Sequence, residues 1–399
     1  MISICFYFQV HQPFRLRKDY TFFNIGEDHL YEDDKANREI CNKVSEKCYI
    51  PANRLMLELI QKHGPRFKIS YAITGTAIEQ FERYNPEVLD LFRELNDTGC
   101  VEFINETYYH SLSFLFSRKE FRKQVVKHRR AMEERFGTTP KTFRNTELIY
   151  NNELARVIED MGFTTILAEG ADRIIGWRTP NFVYQPASCY RLCLLLKNYR
   201  LSDDIAFRFS NRAWNEWPLS VEKYRNWLKA VEGNGEVVNL FMDYETLGEH
   251  QWADTGIFNF IRSMPDQLLG TGDFCFQTPS EVAATHSPMA KIDAPHYVSW
   301  ADVERDTTAW IGNDLQDSAI SYIYDMEKDI YKTKDTNLIE IWRRLQTSDH
   351  FYYMCTKWFS DGDVHKYFNP YDSPHNAFIT YMNALNDLNE QLRQHPALS

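Results

Sequence analysis

The chain has 399 residues, with Lys+Arg 45 against Asp+Glu 56 and a formal net charge of −11. That balance, with no Lys/Arg run long enough to track a polyanion, excludes nucleic acid as an expected partner. The length allows one large domain or two ordinary ones able to bury their own cores, and aromatic residues at 15% argue against disorder.

The 8 cysteines are scattered and form no paired CxxC pattern, so reduced, mostly buried thiols are expected. The N-terminus carries no basic stretch ahead of its apolar run and no small-residue cleavage site behind it, and reads as a core strand. No segment approaches the ~18 apolar residues of a membrane span. A soluble, cytoplasmic protein without a membrane partner is the expectation.

Ile2 to Val10 is an almost unbroken apolar run cut off by His11-Gln12-Pro13, as a parallel strand buried on both faces looks where it opens into a loop. Residues 14–50 are polar and read as irregular. Pro51 to His63 has helical spacing with proline in its first turn, and Phe67 to Ile73 follows as a strand. The alternation continues with a helix at Pro86 to Asp97, a strand at Val101 to Ile104, a helix at Lys119 to Phe136 and a strand at Thr142 to Arg144. A helix at Leu154 to Met161 then leads to strands at Thr164 to Ala168, Cys189 to Leu196, Ile205 to Phe209 and Val237 to Met242, the last stopping at Asp243. Short strands alternating with longer helices predict a closed or nearly closed α/β barrel. An open Rossmann-type sheet is disfavoured because His11-Gln12-Pro13 stands where a glycine-rich turn would follow the first strand. Beyond residue 255 the pattern turns helical, at Asp317 to Lys332, Asn337 to Thr347 and Pro374 to Arg393, after a Pro/Thr/Ser-rich stretch at 270–300 that reads as irregular connection.

In such barrels the reactive groups sit where strands end. Four places qualify: His11-Gln12-Pro13, the Asn105 to His110 segment, Glu147, and Asp243 with Glu245. Glu147 and Asp243 are the natural pair for glycosidic chemistry, in which one carboxyl attacks the anomeric carbon and the other protonates the leaving oxygen. His11 and His110 could donate to sugar hydroxyls, hold a metal with a nearby acid, or be satisfied loop histidines. No HExxH or HxH supports the metal reading. His250 and Asp254 are expected on a helix in a structural role. Trp177, Trp214, Trp217, Trp252, Trp300, Trp310, Trp342 and Trp358 include several in polar contexts where a ring can stack on a pyranose, whereas Trp342 and Tyr352 sit at core-like helical spacing.

These residues fall into five ordered blocks: His11-Gln12-Pro13; Gly75-Thr76-Ala77-Ile78-Glu79; Arg144 to Tyr150 around Glu147; Met242 to Gly248 around Asp243; and Ser348-Asp349-His350-Phe351-Tyr352. Together with the downstream segment 358–365, they resemble glycoside hydrolase family 57, the α-amylase-like family, over most of the chain. The resemblance implies a distorted (β/α)7-type barrel over 1–265, an irregular connection over 266–300 and a helical C-terminal region over 301–399 that covers the cleft. It implies a retaining enzyme acting on α-glucosidic bonds of α-glucans or maltooligosaccharides, with Glu147 as nucleophile and Asp243 as general acid/base, and no cofactor. Sugar contacts would come from His11, Glu79, His110, Glu245, Asp349 and His350, with Trp177, Trp214, Trp217 and Trp252 as stacking platforms. Arg144-Asn145-Thr146 stands where many members carry Trp and Pro, and Tyr244 and Thr246 where many carry Gly and Lys. A 4-α-glucanotransferase and a non-catalytic carbohydrate-binding barrel are the alternatives. A metal-dependent deacetylase, which would place an ion at His11 and His110, lacks the aspartate pair expected after the first strand.

Overall fold

The computed structural model describes residues 1–357 and 369–398. Trp358 and the segment 358–365 lie outside these residues. The first strand, β1 (Ile2–Val10), is buried along its whole length. Its side chains alternate between two apolar clusters: Ile4, Phe6, Phe8 and Val10 face the surrounding helices, while Cys5 and Tyr7 face the barrel interior. Apolar residues at both parities make the sequence run continuous instead of alternating.

Among the described residues the other strands of three or more residues are β2 (Ile69–Ile73), β3 (Val101–Phe103), β4 (Thr142–Arg144), β5 (Thr165–Glu169), β6 (Cys193–Lys197), β7 (Val237–Asp243) and β8 (Phe274–Phe276). On one side of β1, β7 pairs in parallel from Ser3↔Val237 to Gln9↔Asp243. On the other, β2 takes only the C-terminal half, Tyr7↔Ser70 to Val10↔Ile73, and the short β8 takes Ile2 to Ile4. β3 joins β2, and β4, β5 and β6 pair in sequence.

Asparagine contacts at two gaps close the ring. The Asn105 N–H donates to Thr142 O and the Arg144 N–H to Asn105 O, each at 2.9 Å, joining β3 to β4. Across the other gap, the Asn198 N–H donates to Asn239 O and the Asn239 side-chain amide to Leu196 O, also at 2.9 Å, joining β6 to β7. Seven parallel strands thus form a distorted barrel, with β8 wedged at its N-terminal end.

Helices at Ile50–His63, Gly75–Tyr84, Pro86–Asp97 and Arg118–Phe136 cover one side of the barrel. A separate apolar cluster joins the C-terminal helices Asp314–Asp325, Glu327–Thr333, Thr336–Arg344 and Pro374–Gln394 around the buried Trp310 and Trp342. Buried polar contacts bind this region to the barrel: Arg343 donates to Glu120 at 2.8 Å and Gln124 to Gln346 at 3.0 Å. Among the described residues no helix is long and apolar enough to cross a membrane, and all 8 cysteines are free.

Three expectations are corrected. Residues 14–50 include the helix Asp34–Val44, whose Asp33 cap accepts from Ala36 N–H, so a polar segment still helps cover the barrel. The strand expected at Ile205 to Phe209 is the end of the helix Tyr199–Ala206; Asn198 caps it, and Leu201 and Ile205 share one buried helical face at i,i+4 spacing. The stretch 266–300 is not an irregular connection: it completes the helix Ile257–Leu269 and supplies β8, the helix Pro279–Thr285 and a two-residue strand Lys291–Ile292. Strands of two or three residues are too short to show a period in sequence.

Candidate active site

Period-two alternation builds the floor of the site. On five neighbouring strands, the residue two beyond an inward apolar or small polar one is charged. Ile104 is followed by Glu106, Thr142 by Arg144, Leu167 by Glu169, Leu195 by Lys197 and Phe241 by Asp243. Around the barrel mouth these charges alternate in sign, with Arg144 Nη1 3.6 Å from Glu106 and Lys197 Nζ 3.8 Å from Glu169. Above this floor opens a cavity of about 160 Å3, lined by both Glu147 and Asp243 and by His11, His110, Glu245 and Asp349.

Glu147 enters the cavity from a left-handed backbone conformation, φ 57°, with Leu148 at φ 51° and His110 also at φ 51°. Left-handed backbone costs about 1–2 kcal/mol for a residue with a Cβ. It is held here by Leu148 N–H donating to Asn145 O at 2.9 Å, by Trp300 N–H donating to Glu147 O at 3.2 Å, and by a Thr107–Thr146 hydroxyl bond of 2.8 Å between the two loops. The Glu147 carboxylate accepts from three side chains: His110 Nε2 at 3.2 Å and Ser348 Oγ at 3.1 Å on Oε1, and Trp300 Nε1 at 2.8 Å on Oε2. Such donors favour the carboxylate anion.

His110 lies between two acids, with Nδ1 2.9 Å from Glu106 and Nε2 3.2 Å from Glu147. Burial alone would discharge the ring, but the two carboxylates outweigh it and raise its pKa to about 9. Glu106 is held down to about 2: burial opposes ionisation, and His110, Arg144 and His128 overcome it. His11 stacks on His110 and bonds Thr74 at 3.1 Å and Asp349 at 2.8 Å. Its pKa is lowered by burial and by the neighbouring His110 charge. Asp349 is held below the usual carboxylate range because the two histidines outweigh its desolvation.

Asp243 stands under the opposite influence. Burial and the Glu147 charge raise its pKa, while Arg144, Lys197 and His110 resist the rise. Glu245 is likewise raised by burial and by Asp243, although Tyr49 donates to it.

The C-terminal region contributes directly to the site. Ser348 N–H donates to His110 O at 2.9 Å, fixing the helix Ser348–Tyr352 so that Ser348 meets Glu147 and Asp349 meets His11.

Other expected contacts are absent from the cavity. Glu79 accepts from Tyr108 at 2.8 Å and from Arg344 at 2.6 Å, outside the site, because the helix Gly75–Tyr84 turns it toward the C-terminal region. His350 is one residue past Asp349 and therefore faces away, against Tyr381 at 5.5 Å. Trp177 is 93% exposed on an outer loop, Trp214 packs on Trp227, Trp217 lies on the same outer segment, and Trp252 lies under Lys47. None of these four lines the cavity. His250, expected on a helix, lies in the turn after Glu245 and lines the cavity instead. Tyr352, expected in the core, also reaches it. Of Glu106, Arg144, Lys197 and Ser348, Lys197 was not singled out from sequence, and the other three stand there only within longer segments, without a role of their own. For Glu106, Arg144 and Lys197, counting in steps of two from the last inward apolar residue would have found them. The role of Ser348 becomes visible only through its long-range contact with Glu147.

The glycosyl hydrolase family 57 model matches residues 5–295. A Methanocaldococcus jannaschii protein named "Putative alpha-amylase" is 44% identical over 402 residues, covering 98% of this chain and 85% of that protein. A branching enzyme from Thermococcus kodakaraensis superposes with a TM-score of 0.65 at 15% identity, over 89% of this chain and 86% of that one. The 4-alpha-glucanotransferase from Thermococcus litoralis superposes with a TM-score of 0.62 at 14% identity, over 88% of this chain and 56% of that one. At these identities the two superpositions establish a shared fold. The family match and the 44% identical relative establish more: the chain belongs to glycosyl hydrolase family 57.

Proposed function

We propose that this protein is a retaining glycoside hydrolase acting on α-glucosidic bonds of α-glucans or maltooligosaccharides, with Glu147 as nucleophile and Asp243 as general acid/base. The observation that carries the reading is the contrast between two carboxyls in one cavity. Glu147 is surrounded by donors that favour its anion, and Asp243 has its proton affinity raised by burial and by that anion. Environments that separate two carboxyls in this way assign base and acid. The M. jannaschii relative's name supports the substrate class.

In the first step a Glu147 carboxylate oxygen bonds to the anomeric carbon as the glycosidic C–O bond breaks, and Asp243 passes its proton to the departing oxygen. In the second, Asp243 takes a proton from water, the water oxygen bonds to the anomeric carbon, and Glu147 leaves as the carboxylate. His11 and Asp349 face the same cavity and supply hydrogen-bonding groups for sugar hydroxyls, with Glu245 just past the end of the neighbouring strand β7.

The test is to follow maltooligosaccharide cleavage by NMR at early times and to assay E147Q and D243N. Release of α-anomeric product, with both variants reduced by orders of magnitude, is expected. Products of inverted configuration, or an E147Q enzyme as active as wild type, would sink the assignment. Longer oligosaccharides appearing beside shorter ones would identify transfer to sugar acceptors instead of water.

A further inference from the structure

Trp300 comes from the loop following the Tyr150↔Val298 bridge. It lines the cavity, yet its polar edge is turned to the protein: Nε1–H donates to Glu147 Oε2 at 2.8 Å, and the backbone N–H of the same residue donates to Glu147 O at 3.2 Å. One residue therefore holds both the carboxylate and the strained backbone of Glu147.

Two floor cations lie over its ring. The Arg144 guanidinium carbon is 5.1 Å and Lys197 Nζ 5.4 Å from the ring centroid. Both side chains are buried. Arg144 is the more unusual, since its Nε, Nη1 and Nη2 donate to no protein acceptor within hydrogen-bonding distance among the described residues. Its charge is balanced at longer range by Glu106, 3.6 Å from Nη1. A buried arginine without direct acceptors is costly to stability, so a packing role alone does not account for it. A cation over an indole face is attracted by the ring's π density, and drawing that density away from the ring strengthens the N–H as a donor.

We infer that Trp300, clamped between the barrel floor and Glu147 by Arg144 and Lys197, is a positioning residue that orients the Glu147 carboxylate for attack. This rests on the proposed role of Glu147. Trp300 acts through that group: its hydrogen-bonding edge is committed to the carboxylate, and its ring carries Arg144 and Lys197.

The test compares W300F with wild type on a maltooligosaccharide and on an aryl α-glucoside with a good leaving group. Phenylalanine keeps an aromatic ring for the two cations and removes the donor together with part of the ring. A fall in kcat of about 10–100-fold is expected, the range for losing one hydrogen bond to a charged group, with little change in KM. The loss should be as large on the aryl substrate, which needs no proton from Asp243 but still needs the nucleophile. The acidic limb of the pH profile should move to higher pH. Wild-type kcat in W300F, or a defect confined to KM, overturns the proposal. Should W300F fail to fold, R144M and K197M serve instead: a smaller kcat loss with the same limb shift supports the clamp, and unchanged kcat overturns it. E147Q separates the two claims, since an active E147Q removes the nucleophile reading itself whatever W300F does.

Discussion

The imidazoles of His11 and His110 stack with their centroids 4.0 Å apart and are driven in opposite directions. The pKa of His110 is raised to about 9, because Glu106 and Glu147 outweigh its burial, and that of His11 is lowered. Two stacked rings cannot both be cationic without repulsion, so the acids decide which one is. At neutral pH His110 is a double donor and His11 a neutral ring beside Asp349.

This assignment predicts a titration and a stability slope. Imidazole NMR signals should show His110 charged until pH about 9, and His11 neutral at pH 7. The folded pKa of His110 lies above the unfolded value near 6.5. Its contribution is therefore fully present below pH about 6.5 and is lost as pH rises through 9. A buried shift of this size corresponds to about 3 kcal/mol. Stability measured by denaturant unfolding should fall over that window in wild type, and H110N should flatten the slope. An H110N curve parallel to wild type would contradict it.

Replacing Arg144 by methionine removes a cation that resists the rise in the Asp243 pKa. The acid form of Asp243 should then persist to higher pH, moving the basic limb of kcat/KM upward by about 1 unit, the low end for an arginine beside a carboxyl. R144K, which restores the charge, should restore the limb. A basic limb at the wild-type position in R144M would show that Arg144 does not act on Asp243.

Glu79 lies away from the cavity, between Tyr108 and Arg344. E79Q should keep wild-type kcat and KM and unfold a few degrees lower, because Arg344 loses part of a half-buried ion pair worth about 1–3 kcal/mol. A kcat loss without a stability loss would return Glu79 to the substrate path.

The histidine pair is poorly disposed to hold a metal. A protonated His110 has no free lone pair, and both His11 nitrogens already face Thr74 and Asp349. Exhaustive dialysis against a chelator should leave activity unchanged. Activity lost on dialysis and restored by a divalent ion would refute this.

The sequence by itself determined most of the strand and helix alternation and the polar strand ends at His11 and His110, and it picked out Glu147 and Asp243 as the candidate carboxyl pair. Those features are local: an apolar run stops, a polar residue follows, and period and order are legible without knowing what lies opposite. Only the tertiary structure decided which neighbours act together. Trp300 reaches Glu147 across 153 positions and Ser348 reaches it across 201, separations that carry no sequence signal. The same limit misplaced Glu79 and His350, whose helices turn them toward other partners, and the four outer tryptophans, whose polar local contexts suggested sugar binding. The charged floor lies between these cases. Glu106, Arg144, Glu169 and Lys197 follow from two-residue alternation once the strands are known, but their alternating signs acquire meaning only when parallel strands bring them side by side around one cavity.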